Sequence, residues 1–103
     1  MYIVTYHYKV PSNMRKRYLE LMRKTADLYA KHGCLSYEVL EDTQNKGDWL
    51  EINRFRNKAH YKKIHTAVDE DPQIETLWQE FCSITAAKKN PPFKNEYELR
   101  IRS

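Results

Sequence analysis

The sequence predicts a single α+β domain over residues 1–103, with its elements in the order βαββααβ. Alternation with a period of two recurs in four segments, and helical stripes with a period near 3.6 recur in three, with turn-forming residues between them. A chain this short buries only roughly 60–65% of its unfolded surface. We therefore expect the domain to gain stability by pairing with a second copy.

The first strand is predicted over residues 2–10, where aromatic and β-branched residues alternate. One set of alternating positions contains Tyr2, Val4, Tyr6, Tyr8 and Val10, and the other contains Ile3, Thr5, His7 and Lys9. Pro11 ends the strand, and Ser12 or Asn13 is expected to cap the helix that follows.

The first helix is predicted from Met14 to His32 because its apolar residues recur every three or four positions. They are Met14, Tyr18, Leu21, Met22, Leu28 and Tyr29, with Thr25 on the same stripe. Gly33 follows where a left-handed residue usually ends a helix. Residues 34–41 and 49–55 then form an antiparallel hairpin across the turn-rich segment 42–48.

Two helices and a last strand complete the chain. Asn57 is predicted to cap a helix, and Asp71-Pro72 separates this helix from the next. The apolar stripes are Tyr61, Ile64, His65 and Val68 on the first of them, and Ile74, Leu77, Trp78, Phe81 and Ile84 on the second. The proline-containing segment 88–94 is predicted as a loop and residues 95–102 as the last strand.

This order is a split βαβ, ferredoxin-like arrangement, with an antiparallel sheet and helices on one face only. The uncovered face, assigned to Tyr2, Val4 and Tyr6 or their neighbours, is too apolar for water. A homodimer that joins the sheet faces of two copies would cover it.

Composition limits the partners. The net charge is +4, and the basic residues are interspersed with acidic ones. A solvated surface is the simplest interpretation of this pattern, and nucleic acid is an unlikely partner. Cys34 and Cys82 lack metal-site spacing, so no metal is expected, and two isolated thiols suit a reducing cytoplasm. Neither a signal peptide nor a membrane span is predicted.

Several local motifs resemble the antibiotic biosynthesis monooxygenase family of the dimeric α/β barrel superfamily. They are the Pro-Ser-Asn turn from Pro11, the segment Gly33-Cys34-Leu35-Ser36-Tyr37, the hairpin end Glu51-Ile52-Asn53-Arg54-Phe55 leading to Asn57-Lys58-Ala59-His60-Tyr61, and Pro72 before an aromatic helix. The resemblance implies a dimeric barrel, with each subunit's ligand pocket between its sheet and its helices. The superfamily includes cofactor-free oxygenases of quinol-like aromatics, heme degraders and dimers of unknown activity.

The residues that the resemblance assigns to heme degradation are absent. The family's Asn, Trp and His positions fall on Thr5, Ile64 and Trp78. Because an indole cannot serve as the axial ligand that a heme needs, no cofactor is expected. Many members carry a His at the position of Ile64, and here His65 follows it, turned by about 100° around the helix.

His65 is the candidate catalytic base, since imidazole titrates near neutral pH and could deprotonate a phenol-like substrate. The alternative is a core histidine bonded to a backbone carbonyl or to a hydroxyl group on a strand. Thr5 and His7 are expected to face the helices and to line the pocket with Asn53, Ile64 and Trp78.

The predicted function is therefore a cofactor-independent, monooxygenase-like activity on a small aromatic. Two alternatives stay open. One is a non-catalytic dimer that binds a small ligand or regulates another protein. The other is a nucleic-acid-binding module that presents Tyr6, Tyr8, Arg100 and Arg102 on one surface.

Overall fold

The computed structural model describes residues 1–103. Its strands are β1 (Tyr2–Lys9), β2 (Ser36–Glu41), β3 (Asp48–Phe55) and β4 (Phe93–Glu98), and its helices are α1 (Arg15–Lys31), α2 (Lys58–Glu70) and α3 (Gln73–Thr85). A short 3₁₀ turn, Ser12–Met14, precedes α1. None of the helices combines the length and the apolar character that crossing a membrane requires.

The four strands form one sheet in the order β2-β3-β1-β4, and every neighbouring pair is antiparallel. Burial alternates along β3, whose inward residues Trp49, Glu51, Asn53 and Phe55 lie under the helices. The predicted α+β ferredoxin-like architecture, with helices covering one face of an antiparallel sheet, is confirmed.

The prediction for the two faces of β1 is wrong. Tyr2 pairs with Phe55 and Tyr6 pairs with Glu51, so the tyrosine set faces the helices. Thr5 and His7 therefore point to the open face. Period-two alternation separates the two faces of a strand but does not say which one a helix covers.

The helix-side core consists of two hydrophobic clusters. The first contains Tyr8, Val10, Tyr18, Leu21, Met22, Trp49, Phe81, Ile84 and Ala87. The second contains Tyr2, Val4, Leu28, Phe55, Tyr61, Ile64 and Val68. β1 contributes to both clusters, because Tyr8 lies at one end of its inward face and Tyr2 at the other.

Two of the predicted helix boundaries are confirmed, and the predicted cap of α1 is corrected. Gly33 has a φ of +100°, and the side chain of Asn57 accepts a 2.8 Å hydrogen bond from the His60 amide. Neither Ser12 nor Asn13 caps α1 with its side chain, because both residues belong to the 3₁₀ turn.

The last strand starts two residues earlier and ends four residues earlier than the predicted range 95–102. β4 begins at Phe93, directly after Pro92, and ends at Glu98. A proline restricts its own φ and the residue before it, so the chain can extend as soon as the proline is passed. Phe93 pairs with His7 and Tyr97 pairs with Ile3, which places both aromatic side chains on the open face.

We predict that Asn57→Ala lowers the free energy of unfolding by about 0.5–2 kcal/mol, because the His60 amide loses its side-chain acceptor. The matched control is Asn57→Asp, which keeps an oxygen at the cap. Urea denaturation of both variants measures the effect, and equal losses for the two would show that the cap is not its source.

Candidate functional site

A cavity of about 540 Å³ lies between the sheet and the helices. Its walls are residues of the two core clusters and of their surroundings, chiefly Tyr6, Met22, Tyr29, Tyr37, Leu77 and Phe81. This volume falls within the range of small-molecule sites, and such sites are mostly apolar with a few polar groups. The cavity therefore suits a small aromatic ligand better than a strongly polar one.

Glu51 lies at the floor of the cavity, where its side chain is almost completely buried, with 7% of the residue exposed. It projects from the inward face of β3, opposite Tyr6 of β1 and Val39 of β2. No Lys, Arg or His nitrogen lies within 4.0 Å of its carboxyl group. A buried carboxylate without a cation is costly to maintain, which makes Glu51 the least expected residue of the core.

Hydrogen-bond donors surround this carboxyl group. The Tyr8 hydroxyl donates to Oε1 at 3.2 Å and the Asn53 amide donates to Oε2 at 3.3 Å, while the Tyr37 hydroxyl forms a third hydrogen bond. The Tyr8 and Tyr18 hydroxyls are 2.5 Å apart. Because Tyr8 gives its proton to Glu51, Tyr18 must donate to Tyr8, so the two hydroxyls form a chain that ends at the carboxyl group.

The electrostatics of the floor keep its tyrosines neutral. Burial raises the pKa of Tyr8 and of Tyr37, and the nearby charge of Glu51 raises both further. Burial also raises the pKa of Glu51, although the hydrogen bonds from Tyr37, Asn53 and Tyr8 act in the opposite direction. The floor thus combines one carboxyl acceptor with three fixed donors.

The mouth of the cavity carries the remaining ionisable groups. His65 of α2 has 40% of its side chain exposed, and its Nε2 lies 3.4 Å from the Asp69 carboxylate. Lys94 of β4 donates a 2.6 Å hydrogen bond to the Tyr61 hydroxyl. Burial alone would lower the pKa of Lys94, but the bond to Tyr61 and the charge of Glu96 raise it.

Trp78 forms one wall of the mouth. It stacks on Phe81 with ring centroids 5.8 Å apart and an angle of 19° between the planes. Nearly half of Trp78 is exposed, at 46%, so one face of the indole remains available beside the cavity.

The structure separates the residues that the sequence grouped as a site. His65 and Trp78 line the cavity. Thr5 and His7 do not, since they lie on the open face, and the expectation that they join His65 is wrong. Ile64 is buried in the second cluster against Gly33, and Asn53 lies behind Glu51 with its Oδ1 unpaired.

The surroundings of His65 do not match the core-histidine alternative, because its side chain is 40% exposed and its polar partner is the Asp69 carboxylate, which is neither a backbone carbonyl nor a strand hydroxyl. The nucleic-acid alternative needed Tyr6 and Tyr8 on the surface. Both face the helices, and Tyr8 belongs to the buried core.

The residues in the cavity do not fit a heme held as the family's heme degraders hold it. At the position of the axial His stands Trp78, whose ring nitrogen only donates. The position of the Trp is taken by buried Ile64. The chemistry of this site must therefore be derived from its own side chains.

The family model for antibiotic biosynthesis monooxygenases matches residues 1–68. No curated protein sequence matches the chain. A proposed antibiotic biosynthesis monooxygenase from Deinococcus radiodurans is 20% identical, with a TM-score of 0.71 over 100% of this chain and 96% of that one.

Two further solved structures are similar. SnoaB from Streptomyces nogalater, a cofactor-independent oxygenase, has a TM-score of 0.78 at 9% identity over 98% of this chain and 94% of its own. A conserved protein from Methanosarcina mazei has a TM-score of 0.76 at 11% identity over 96% and 92%. At these identities the similarity establishes the fold.

We predict that Glu51→Gln becomes more stable relative to the wild type as the pH rises. A carboxyl group with a raised pKa in the folded chain contributes full stability below its ordinary pKa of 4.5 and loses it as the pH rises toward the folded-state value. The Glu51→Gln variant has no carboxyl group at this position, so its free energy of unfolding does not fall in this way as the pH rises. Urea denaturation from acidic to neutral pH measures the difference between the two free energies of unfolding.

The control is Glu20→Gln on the exposed surface of α1, which removes the same charge from a position outside the core. A Glu51→Gln difference that stays constant with pH would show that the buried carboxyl group does not titrate as described.

Proposed function

The chain belongs to the antibiotic biosynthesis monooxygenase family, and we propose that it is a cofactor-independent monooxygenase that oxidises a small, quinol-like aromatic. The observation that carries this proposal is the aromatic-walled cavity, which has a single buried carboxyl group at its floor and His65 at its mouth.

The shape and lining of the cavity support an aromatic substrate. Tyr6, Tyr29, Trp78 and Phe81 present ring faces and edges to it. Aromatic rings gain both buried area and favourable edge or stacked contacts in such surroundings. The exclusion of water by these walls would also protect an electron-rich intermediate.

The proposed reaction needs dioxygen and no external reductant. In a phenol oxidised at a ring carbon, the O–H and C–H bonds break, one oxygen atom forms the new carbonyl group, and the other leaves as water with both hydrogens. The substrate supplies all the electrons that dioxygen takes up. What the protein must provide is a group that removes the phenolic proton, because the resulting anion is the species that gives an electron to dioxygen.

We also propose a homodimer joined through the open faces of the two sheets. Phe93 is 67% exposed, and Tyr97 and Leu40 are exposed as well. Thr5 and His7 lie among these residues on the same face. A twofold axis would place this patch against its own copy and remove the apolar side chains from water.

We predict that naphthols and hydroquinones bind in the helix-side cavity and raise the melting temperature. Thr25 lines the cavity, so Thr25→Trp should fill it and weaken binding at least about tenfold, or ~1.4 kcal/mol. The control is Thr66→Trp, which adds the same indole to the exposed side of α2. Equal affinities for the two variants would place the ligand elsewhere.

Turnover of a bound aromatic should consume dioxygen and place one labelled oxygen atom from it in the product. Mass spectrometry of the product after incubation under labelled dioxygen makes this measurement. Saturable binding without oxygen uptake across the panel would instead favour a non-catalytic, ligand-binding dimer.

We predict that sedimentation at micromolar concentration gives about twice the chain mass of 12.5 kDa. Phe93→Glu should shift the protein toward the monomer, because it places a charge in the apolar patch. Thr66→Glu, which adds the same charge to the helical surface, should remain dimeric. A wild-type monomer at high concentration would refute the proposed assembly.

A further inference from the structure

We propose that Glu51 is the base of this cavity, and that it binds the hydroxyl group of a phenolic ligand and removes its proton. This inference rests on the proposed function. It assigns the deprotonation step to a residue on β3, whereas sequence reasoning had assigned it to His65.

The first observation that supports this assignment is the position of Glu51 in the cavity. Four other side chains of the cavity carry a charge or an imidazole, namely His65, Asp69, Glu75 and Lys94. All four belong to α2, α3 or β4. Glu51 alone lies at the floor. A flat aromatic that places its ring between the apolar walls and its hydroxyl group inward would therefore meet this carboxyl group.

The hydrogen bonds of Glu51 leave room for a ligand. An ionised carboxylate accepts at about four lone-pair positions and donates none. Tyr8, Tyr37 and Asn53 supply three donors. At least one acceptor position is therefore free, and Glu51 lines the cavity in which a phenolic O–H would lie.

The burial of Glu51 also favours uptake of a proton by this carboxyl group, although the hydrogen bonds that it accepts act in the opposite direction. From β1 and β2 it is faced by the Tyr8 and Tyr37 hydroxyls, from β3 by the Asn53 amide, and from α1 by the Tyr29 ring. His65 and Asp69 of α2 and Lys94 of β4 stay at the mouth. Because no cation compensates the buried carboxylate, protonation removes an unpaired charge from Glu51 itself.

The step is a proton transfer in which nothing is oxidised or reduced. The phenolic O–H bond breaks, its electron pair stays on the phenolate oxygen, and a new O–H bond forms on Glu51. The negative charge moves from the carboxylate to the ligand. Burial raises the pKa of Glu51, which brings its basicity closer to that of a phenol and makes the transfer less uphill.

His65 is the competing base. It lies at the mouth, partly exposed and beside Asp69, so it would reach a hydroxyl group that points outward. The two assignments therefore predict opposite orientations of the ligand and different responses to substitution.

The probe is 4-nitrophenol, whose neutral and anionic forms absorb at different wavelengths. We titrate it into the wild type, Glu51→Gln and His65→Gln at a pH below its solution pKa. The expected result is the phenolate band on binding to the wild type and to His65→Gln, and loss of that band in Glu51→Gln at saturation. Retention of the band in Glu51→Gln, or its loss in His65→Gln alone, overturns the assignment.

A second measurement uses only the wild type and so does not depend on a variant that folds. Infrared difference spectra should show the carbonyl stretch of a protonated carboxyl group when 4-nitrophenol binds. Binding without this stretch overturns the role of Glu51 but leaves the proposed function intact. If neither 4-nitrophenol nor any naphthol or hydroquinone of the panel binds saturably, the proposed function fails, and the inference fails with it.

Discussion

One of the two central strands of the sheet, β1, is the constraint on which the rest of the structure depends. β1 pairs with β3 on one side and β4 on the other, and its inward face presents three tyrosines and one valine to the helices. Tyr2 and Tyr8 are buried in different hydrophobic clusters, whereas Tyr6 lies between them and borders the cavity. The cavity exists because this strand anchors a cluster at each end and places a large, amphipathic ring in the middle.

Much of the fold follows from local sequence patterns. Alternation located three of the strands, the spacing of apolar residues located the helices, and Asn57 and Asp71-Pro72 marked helix ends that the structure reproduces. The face of β1 was assigned wrongly because both alternating sets contain residues that tolerate burial. Tyrosine suits an interface as well as a core, so only the packing of helices against the strand decides its direction.

The site was harder to predict, because a cavity is a property of tertiary packing. His65 and Trp78 were found because polar and bulky aromatic residues stood on apolar helical stripes. Glu51 was missed, yet a signal for it was present. It shares the parity of Trp49 and Phe55 on β3, so a carboxyl group was predictable on a strand face whose ends are clearly buried. Whether it meets a cation there depends on neighbours that only the structure brings together.

The two faces of the sheet serve different needs, and this division explains the unusual number of tyrosines. On the helix side, the hydroxyls of Tyr8 and Tyr37 donate to a buried carboxyl group that no lysine or arginine accompanies, and the Tyr18 hydroxyl bonds to that of Tyr8. On the open side, the exposed rings of Phe93 and Tyr97 add apolar area where β4 pairs with β1.

The chain of hydroxyls behind Glu51 has only one open end. Tyr18 is fully buried and its hydroxyl bonds to that of Tyr8, so this chain of hydroxyls ends inside the core. In the proposed reaction, a proton taken from the substrate stays in this dead-end chain until a species in the cavity accepts it again. The protein would then hold one proton per turnover and return it to the oxygen atom that leaves as water, which makes the same carboxyl group a base early in the cycle and an acid late in it.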